Sequence, residues 1–187
     1  MSSSVVTVEL SNGASDLDAV LALQRANLRT QISPDDGARN GFVTVEHTRE
    51  ILAQMHAHGP SLVARRDGRL VGYALTMTLA CRPLLPALEP MFARFDSLSY
   101  AGRALSTCQF YVMGQICIAH SERGRGVFDA LYQAHRECFG DRYELLVTEI
   151  SANNGRSLRA HQRVGFHELT RYRDAIDDWV VVALALR

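Results

Sequence analysis

The sequence predicts a single α/β domain, and three observations support that prediction. The chain has 187 residues, the length of about one domain, and 47% of them are apolar, enough for one core. An Asp-Gly pair between two apolar runs predicts a hairpin in the first half. Strand-like and helix-like periods then alternate through the second half, which is typical of α/β folds.

The first predicted elements are a strand and a helix. Apolar and polar residues alternate over residues 5–10, which predicts a strand. Ser15 and Asp18 resemble a capping box, and apolar residues at helical spacing continue from there to Leu28, which predicts a helix. The composition of the run Pro34–Gly41, PDDGARNG, predicts a loop.

A second helix, a hairpin and an insertion follow. The helix is predicted to begin at Thr44 and to stop before Gly59, which precedes a proline. The hairpin joins SLVARR to RLVGYALTMTL through Asp67-Gly68. Three prolines interrupt residues 81–107, so we expect an irregular or short-helical insertion there. Its apolar residues suit a binding loop, an extension of the core or a dimer interface.

The second half is predicted to alternate strands and helices before a closing strand pair. The run 145–150 is rich in apolar residues, which predicts a strand buried on both faces. Gly165 suits the left-handed cap of the helix before it. The predicted elements are strand 109–118, helix 127–138, strand 145–150, helix 156–164 and strands 167–172 and 179–186.

Charge composition excludes several classes of function. The 20 basic residues balance 20 acidic ones, and a neutral chain is unlike proteins that bind nucleic-acid phosphates. Every basic residue is arginine, so Schiff-base chemistry and a Walker-type phosphate lysine are excluded. Anions must then be bound by Arg, His or backbone amides.

The cysteines predict a reduced, cytoplasmic protein without a metal. They are scattered and form no C-x-x-C pair, and the histidines show no shared metal-ligand spacing. The N-terminal residues lack the features of a signal peptide. The longest uncharged apolar runs are shorter than the roughly 20 residues that span a bilayer, so no membrane partner is expected.

The most specific signal is ICIAHSERGRGVFDALY. A strand is predicted to end at Ile118, and after a short polar turn Arg123-Gly124-Arg125-Gly126 opens a helix. Glycines allow a tight turn that directs several N–H groups to one point at the positive end of the helix dipole. The segment therefore predicts an anion cradle.

Two common nucleotide loops do not fit this segment. A Walker loop needs a lysine, and a dinucleotide fingerprint needs a third glycine where Asp129 stands. Taken alone, the segment is also compatible with a glycine-rich turn that carries two solvated arginines.

A second segment, TEISANNGRSLRAHQRVGF, lies about thirty residues downstream. Together the two segments resemble the GNAT superfamily of acetyl-CoA-dependent N-acetyltransferases. Its first motif, V-x-P-x-x-[QR]-x-x-G-x-[GA], is matched at Ile118, His120, Arg123, Gly126 and Phe128. Its second motif, Asn, x-x-Ala/Ser, then Tyr-Glu-x-x-Gly-Phe, is matched at Asn154, Ser157 and His161 to Phe166.

The resemblance implies a GNAT-like fold: a mixed sheet of about six or seven strands flanked by helices, with two strands splayed at the cofactor site. It also implies acetyl-CoA as co-substrate. The pantetheine arm would pair with one strand, the pyrophosphate would lie on loop amides, and an asparagine would bind the pantetheine side. The implied cofactor-binding residues are Ile116, Cys117, Ile118, Arg123, Gly124, Arg125, Gly126, Val127, Phe128, Asp129 and Asn154.

Two positions depart from the family pattern. Phe128 replaces the last Gly/Ala of the loop, where it would cover the pantetheine or shape the acceptor pocket. His161 replaces the tyrosine that many members place beside the cofactor sulfur.

Two residues are candidates for catalysis. Glu149 matches the glutamate base of the ribosomal-protein N-terminal acetyltransferases, and a carboxylate in a buried strand should have a raised pKa. The alternative is that it pairs with an arginine. His161 is a candidate donor to the departing thiolate, and its alternative is a hydrogen-bonded packing residue. Tyr132 and Tyr111 are fallback donors.

The leading hypothesis is an N-acetyltransferase whose amine acceptor attacks the thioester directly. The alternatives are a non-catalytic acyl-CoA-binding module on the same fold and a transferase for longer acyl groups. A homodimer is compatible with an exposed sheet edge. The acceptor stays open, and its polar candidate contacts are Asp35, Asp36, Arg82, Arg94 and Asp96.

Overall fold

A mixed seven-stranded sheet organises the computed structural model, which describes residues 5–33, 37 and 41–187. The strand order is β1-β2-β3-β6-β7-β9-β8, and every neighbouring pair is antiparallel except β6 and β7. The sheet strands are β1 (Thr7–Leu10), β2 (Leu62–Arg66), β3 (Arg69–Met77), β6 (Phe110–Ile118), β7 (Leu145–Ser151), β8 (His167–Arg173) and β9 (Asp178–Ala185). This architecture confirms the predicted fold class.

Helices cover both faces of the sheet. One face packs against α1 (Ala14–Arg25), α2 (Arg49–His58) and α3 (Glu89–Asp96). The other face packs against α4 (Val127–Phe139) and α5 (Gly155–Arg163). Each face has its own buried apolar cluster, because alternate residues of a strand point to opposite sides.

The parallel pair β6 and β7 separates soon after it forms. Pairing runs from Phe110–Val112 to Leu145–Val147 and goes no further. Beyond that point the Thr148 hydroxyl donates to the Met113 carbonyl at 2.9 Å, in place of a backbone donor. The β3–β6 register also shifts next to Gly114, which adds a bulge and bends the strand. The expected splay of these two strands is therefore present.

The start of α1 differs from the capping-box prediction. The residue before the helix is Gly13, which makes no side-chain cap. The Asp16 carboxylate instead accepts the Asn12 N–H at 2.7 Å. The helix ends at Arg25, short of Leu28, because the chain there pairs with residue 43: the N–H of Arg29 donates to its carbonyl at 2.9 Å.

The second helix begins later than predicted, and the hairpin is confirmed. α2 starts after Thr48, not at Thr44, because the Thr48 hydroxyl accepts the Ile51 N–H at 3.2 Å and caps the helix. In the hairpin, Asp67 and Gly68 have φ of 52° and 77°, the left-handed pair of a type I′ turn. The predicted loop Pro34–Gly41 lies almost entirely outside the described residues.

The segment between β3 and β6 is irregular and short-helical, as predicted. It contains three 3₁₀ turns, α3 and a two-stranded hairpin of β4 (Ser99–Tyr100) and β5 (Arg103–Ala104). The apolar residues of α3 are buried against the sheet, and Phe95 is 0% exposed. The insertion therefore extends the core.

The second half matches its prediction to within two residues at each boundary. Gly165 has φ of 104°, in agreement with its predicted role at the end of α5. Among the described helices, none combines the length and apolarity that a bilayer crossing requires.

Truncation of Phe95 tests whether the insertion belongs to the core. Phe95→Ala should lower the free energy of unfolding by about 3–5 kcal/mol, because it leaves a cavity under α3. Leu79→Ala is the matched control, since Leu79 is 46% exposed in the same segment and should change stability by about 0.5 kcal/mol or less. Urea unfolding measures both variants. Equal, small effects would show that the insertion is a detachable lid.

Candidate functional site

The glycine loop lies between β6 and α4 and opens onto a cavity. Gly124 and Gly126 have φ of 75° and 79°, and a Cβ added at either would meet no atom within 4 Å. Gly126 is the residue from which α4 begins. The loop amides therefore border open space at the positive end of the helix dipole, as an anion cradle requires.

The cavity next to this loop has a volume of about 630 Å³. It is lined by the end of β6, the glycine loop, the first turn of α4, one face of α5 and residues 41–43. That volume lies within the usual range for cofactor and ligand pockets, about 300–1,000 Å³.

Arginines give this cavity its charge. Arg123, Arg156, Arg159 and Arg163 line it, with Glu122 and Asp129 as the acidic lining residues. Arg66 pairs with Glu122 at 2.9 Å, and Arg163 pairs with Asp129 at 2.8 Å. Because both carboxylates are neutralised, the described lining carries an excess of positive charge.

Three of these arginines were missed in the sequence. Arg156, Arg159 and Arg163 are spaced i, i+3 and i+7, which places them on one face of α5. That spacing can be read from GRSLRAHQR, but the sequence does not show what this face of the helix contacts. The position of α5 beside the glycine loop shows that the face lines the cavity.

The predicted loop residues have different surroundings. The Arg123 guanidinium donates to the Asn27 side-chain oxygen at 2.6 Å and to the Ile118 carbonyl at 3.1 Å, so it ties the loop to the end of α1. Burial lowers the pKa of Arg123 from its usual range. Arg125 is exposed and lies outside the cavity lining, whereas Val127 is buried and belongs to that lining.

The end of β6 offers backbone groups to the cavity. Ile116, Cys117 and Ile118 pair with β3 on one side and line the cavity beyond the point where β7 has diverged. The Cys117 side chain is buried, and burial raises the pKa of its thiol to about 12. The thiol therefore stays protonated, and the strand contributes its backbone.

The side chain of Asn154 is already engaged. Its oxygen caps α5 by accepting the Ser157 N–H at 3.2 Å, and its amide donates to the Phe42 carbonyl at 3.2 Å. Asn154 lines the cavity and holds α5 and the 41–43 segment together.

Phe128 lies between the cavity and two residues behind it. Its ring is 4.9 Å from that of Tyr132 and 5.0 Å from that of His161, measured between centroids. Arg163 lies above it at 5.9 Å. The Phe128 ring, at a position where the family pattern has glycine or alanine, therefore forms part of the cavity wall.

His161 is buried with both ring nitrogens occupied. Nδ1 lies 2.8 Å from the Ser157 carbonyl, which can only accept, so Nδ1 carries the proton. Nε2 then accepts a hydrogen bond from the Tyr132 hydroxyl at 2.7 Å. Burial lowers the pKa of His161 to about 4, so the ring is neutral near pH 7. This arrangement favours the packing alternative for His161 and also occupies Tyr132.

Tyr111, the other fallback donor, is fully buried and bonded to His135 Nδ1 at 2.9 Å. Burial raises its pKa well above the usual range. It lies outside the cavity lining.

Glu149 lies on β7 two residues beyond the last residue paired with β6. It is half-buried and accepts a hydrogen bond from the Tyr172 hydroxyl. Burial raises its pKa to about 7, against the opposing effect of the Tyr172 hydrogen bond. Neither Glu149 nor His161 belongs to the described lining of the cavity.

The acceptor candidates are only partly available. Arg82 pairs with Glu89 and, at 2.9 Å, with Asp96. Arg94 stacks on the Tyr172 ring, 4.0 Å from its centroid. Asp35 and Asp36 lie outside the described residues. Within the described part of the chain, no group of three or more His, Cys, Asp or Glu could hold a metal ion.

Several solved structures with the same fold are named as acetyltransferases. The chain matches the Escherichia coli ribosomal-protein-S18-alanine N-acetyltransferase at a TM-score of 0.66 and 14% identity, over 97% of this chain and 94% of that one. An acetyltransferase of the GNAT family from Streptococcus agalactiae matches at a TM-score of 0.65 and 16% identity, over 96% of this chain and 95% of that one. A Salmonella typhimurium protein assigned as an acetyltransferase was solved with acetyl-CoA. It matches at a TM-score of 0.62 and 17% identity, over 97% of this chain and 94% of that one. Neither a family model nor a curated protein sequence matches the chain.

The state of His161 can be tested by NMR. Long-range proton–nitrogen correlations should show a protonated Nδ1 and an unprotonated Nε2 that stay unchanged from pH 8 to pH 5. The same protein unfolded in urea should show histidine titration near pH 6.5 as the reference. A His161 signal that titrates in the folded protein near pH 6.5 would contradict the buried hydrogen-bonded state.

Proposed function

We propose that the chain, which has the fold of the GNAT acetyltransferases, transfers the acetyl group of acetyl-CoA to a primary amine by direct attack. The observation that carries the proposal is the divergence of β6 and β7 beside a glycine loop and an arginine-lined cavity. An extended amide chain and a pyrophosphate need those two features together: an unpaired strand edge and an anion cradle.

The cofactor would be held mainly by backbone. The edge formed by Ile116, Cys117 and Ile118 suits the amides of a pantetheine arm, and the amides from Gly124 to Asp129 suit a pyrophosphate. Arg156, Arg159 and Arg163 add charge along one wall. When bound, acetyl-CoA supplies the reactive thioester.

Glu149 is the proposed base. An acceptor amine is protonated near neutral pH and must lose a proton before it attacks. A carboxylate with a pKa of about 7 is half-ionised at that pH and can accept this proton directly or through one water molecule. His161 is assigned to positioning the Tyr132 hydroxyl, because both of its ring nitrogens are occupied.

A non-catalytic acyl-CoA-binding module is the second candidate, since it would need only the glycine loop and the cavity. The raised pKa of Glu149 favours the enzyme, because cofactor binding alone gives no reason for a half-buried carboxylate beside the splay. Release of free thiol from acetyl-CoA with a panel of amines separates the two. The panel should include a peptide with an N-terminal alanine, since structural neighbours include ribosomal-protein-alanine N-acetyltransferases.

Loss of the glycine cradle should abolish cofactor binding. Gly126→Val forces a β-branched residue toward φ of 79° and should raise the Kd for coenzyme A at least tenfold in calorimetry. Gly68→Val is the matched control, because Gly68 has φ of 77° and open space around it but lies in the β2–β3 hairpin. It should leave the affinity unchanged. Equal affinities in the two variants would contradict the cradle.

Removal of the carboxylate should affect chemistry and spare binding. Glu149→Gln should lower kcat by about 10²-fold or more, with little change in the Kd for acetyl-CoA. Activity of the wild type should rise with pH through about 7, as Glu149 ionises. In the variant this limb should be lost, with partial recovery at high pH where the amine is already neutral.

The control for this variant is Glu144→Gln, a partly exposed glutamate just before β7 that pairs with Arg103 at 2.8 Å. It should keep the wild-type rate and pH profile. Near-wild-type turnover by Glu149→Gln on an accepted amine would remove Glu149 from the mechanism.

A further inference from the structure

The candidate base is held by a residue that the two motifs do not include. Tyr172 lies on β8, and its hydroxyl donates a hydrogen bond to Glu149 on β7. The two strands are not neighbours, because β9 lies between them. The tyrosine therefore reaches across β9 to the carboxylate and fixes its direction.

The Tyr172 ring is held in turn by the insertion. The Arg94 guanidinium, on α3, lies 4.0 Å from the ring centroid, at cation–π distance. α3 is a firm support, because Met91, Phe92 and Phe95 are buried in the core. Three segments far apart in sequence thus meet in one chain of contacts.

In the described part of the chain, few titratable groups act on Glu149 from the packed elements. They are Tyr172 on β8, Asp174 in the turn after β8 and Arg94 on α3. The tyrosine and the arginine favour the ionised carboxylate, whereas Asp174 and burial oppose it. A contact that orients the carboxylate therefore also changes its affinity for a proton.

We propose that the insertion positions the base: Arg94 holds the Tyr172 ring, and the Tyr172 hydroxyl holds the Glu149 carboxylate toward the acceptor amine. This inference rests on the proposed function. Tyr172 and Arg94 are positioning residues, since they act on the reaction through Glu149. Tyr172 keeps its own proton throughout, because burial and the adjacent carboxylate raise its pKa far above neutrality.

The arrangement also gives the insertion a role besides packing. The pKa of Glu149 lies near neutral pH, so a small change in its hydrogen bonds changes the ionised fraction of the carboxylate at that pH. A shift of one pKa unit is a tenfold change in the ionisation equilibrium. An acceptor that contacts α3 would therefore act on the same chain of contacts that holds the base.

The test measures the titration of Glu149 directly, independently of turnover. Carboxyl carbon-13 NMR of glutamate-labelled protein follows the pKa, and the resonance is assigned by its loss in Glu149→Gln. Tyr172→Phe should raise the pKa of Glu149 by about one pH unit, because a neutral donor to the charged form is removed. Arg94→Met should raise it by a smaller amount that shrinks as salt is added, since Arg94 is exposed.

The chain offers a matched control. Tyr143 is half-buried and has the Arg142 guanidinium 5.9 Å from its ring centroid, but it lies before β7, at the end of the strand opposite Glu149. Tyr143→Phe and Arg142→Met should leave the Glu149 titration where it is. An unmoved titration in Tyr172→Phe that still folds, as shown by its unfolding transition, would overturn the proposal.

Turnover then separates this inference from the proposed function. With an accepted amine, the ascending limb of the kcat/KM profile of Tyr172→Phe should move to higher pH together with the NMR titration. At a pH below the limb, kcat/KM should then fall by about tenfold. In a Glu149→Gln background, Tyr172→Phe should have no further effect on the profile. A uniform loss of rate with an unmoved limb would show a structural role and contradict positioning. A titration that moves without any turnover by the wild type would overturn the proposed function and the base together.

Discussion

The candidate site depends on one constraint in the sheet: β6 and β7 pair over three residues each and then diverge. The Thr148 hydroxyl bonds to the Met113 carbonyl at the fork, and the bulge beside Gly114 bends β6 away. The divergence leaves a strand edge inside the molecule, where it is available to a ligand but protected from pairing with another protein chain. The glycine loop, the cavity and Glu149 all occupy positions that this fork defines.

The fork also separates two kinds of charge. On the side of the cavity, arginines from the loop and α5 exceed the carboxylates, which are paired. Since the chain has no lysine, every one of these cations is a guanidinium that stays protonated at any physiological pH. On the other side is Glu149, whose pKa of about 7 makes its charge depend on pH. In the proposed function, the anion is therefore bound by groups whose charge does not change near neutral pH, whereas the proton is accepted by a group whose charge does.

Much of the fold follows from local sequence, and much of the site does not. The strands, the Asp67-Gly68 turn and the glycine loop were predictable because period and turn chemistry act over a few residues. The start of α2 was missed because the Thr48 cap competes with an earlier threonine. The surroundings of Glu149 and His161 depend on Tyr172 and Tyr132, which are distant in sequence. Such contacts leave no spacing that a motif could reveal.

Burial reverses the order of the pKa values of the two candidate catalytic residues. The ordinary pKa values are 6.5 for histidine and 4.5 for glutamate, which would give the histidine the titration near neutrality. In the folded chain desolvation disfavours both charged forms, so it lowers the pKa of His161 to about 4 and raises the pKa of Glu149 to about 7. The order of the two groups is therefore reversed. A proton acceptor near pH 7 arises from the carboxylate, while the histidine becomes a neutral link that holds the Tyr132 hydroxyl behind Phe128.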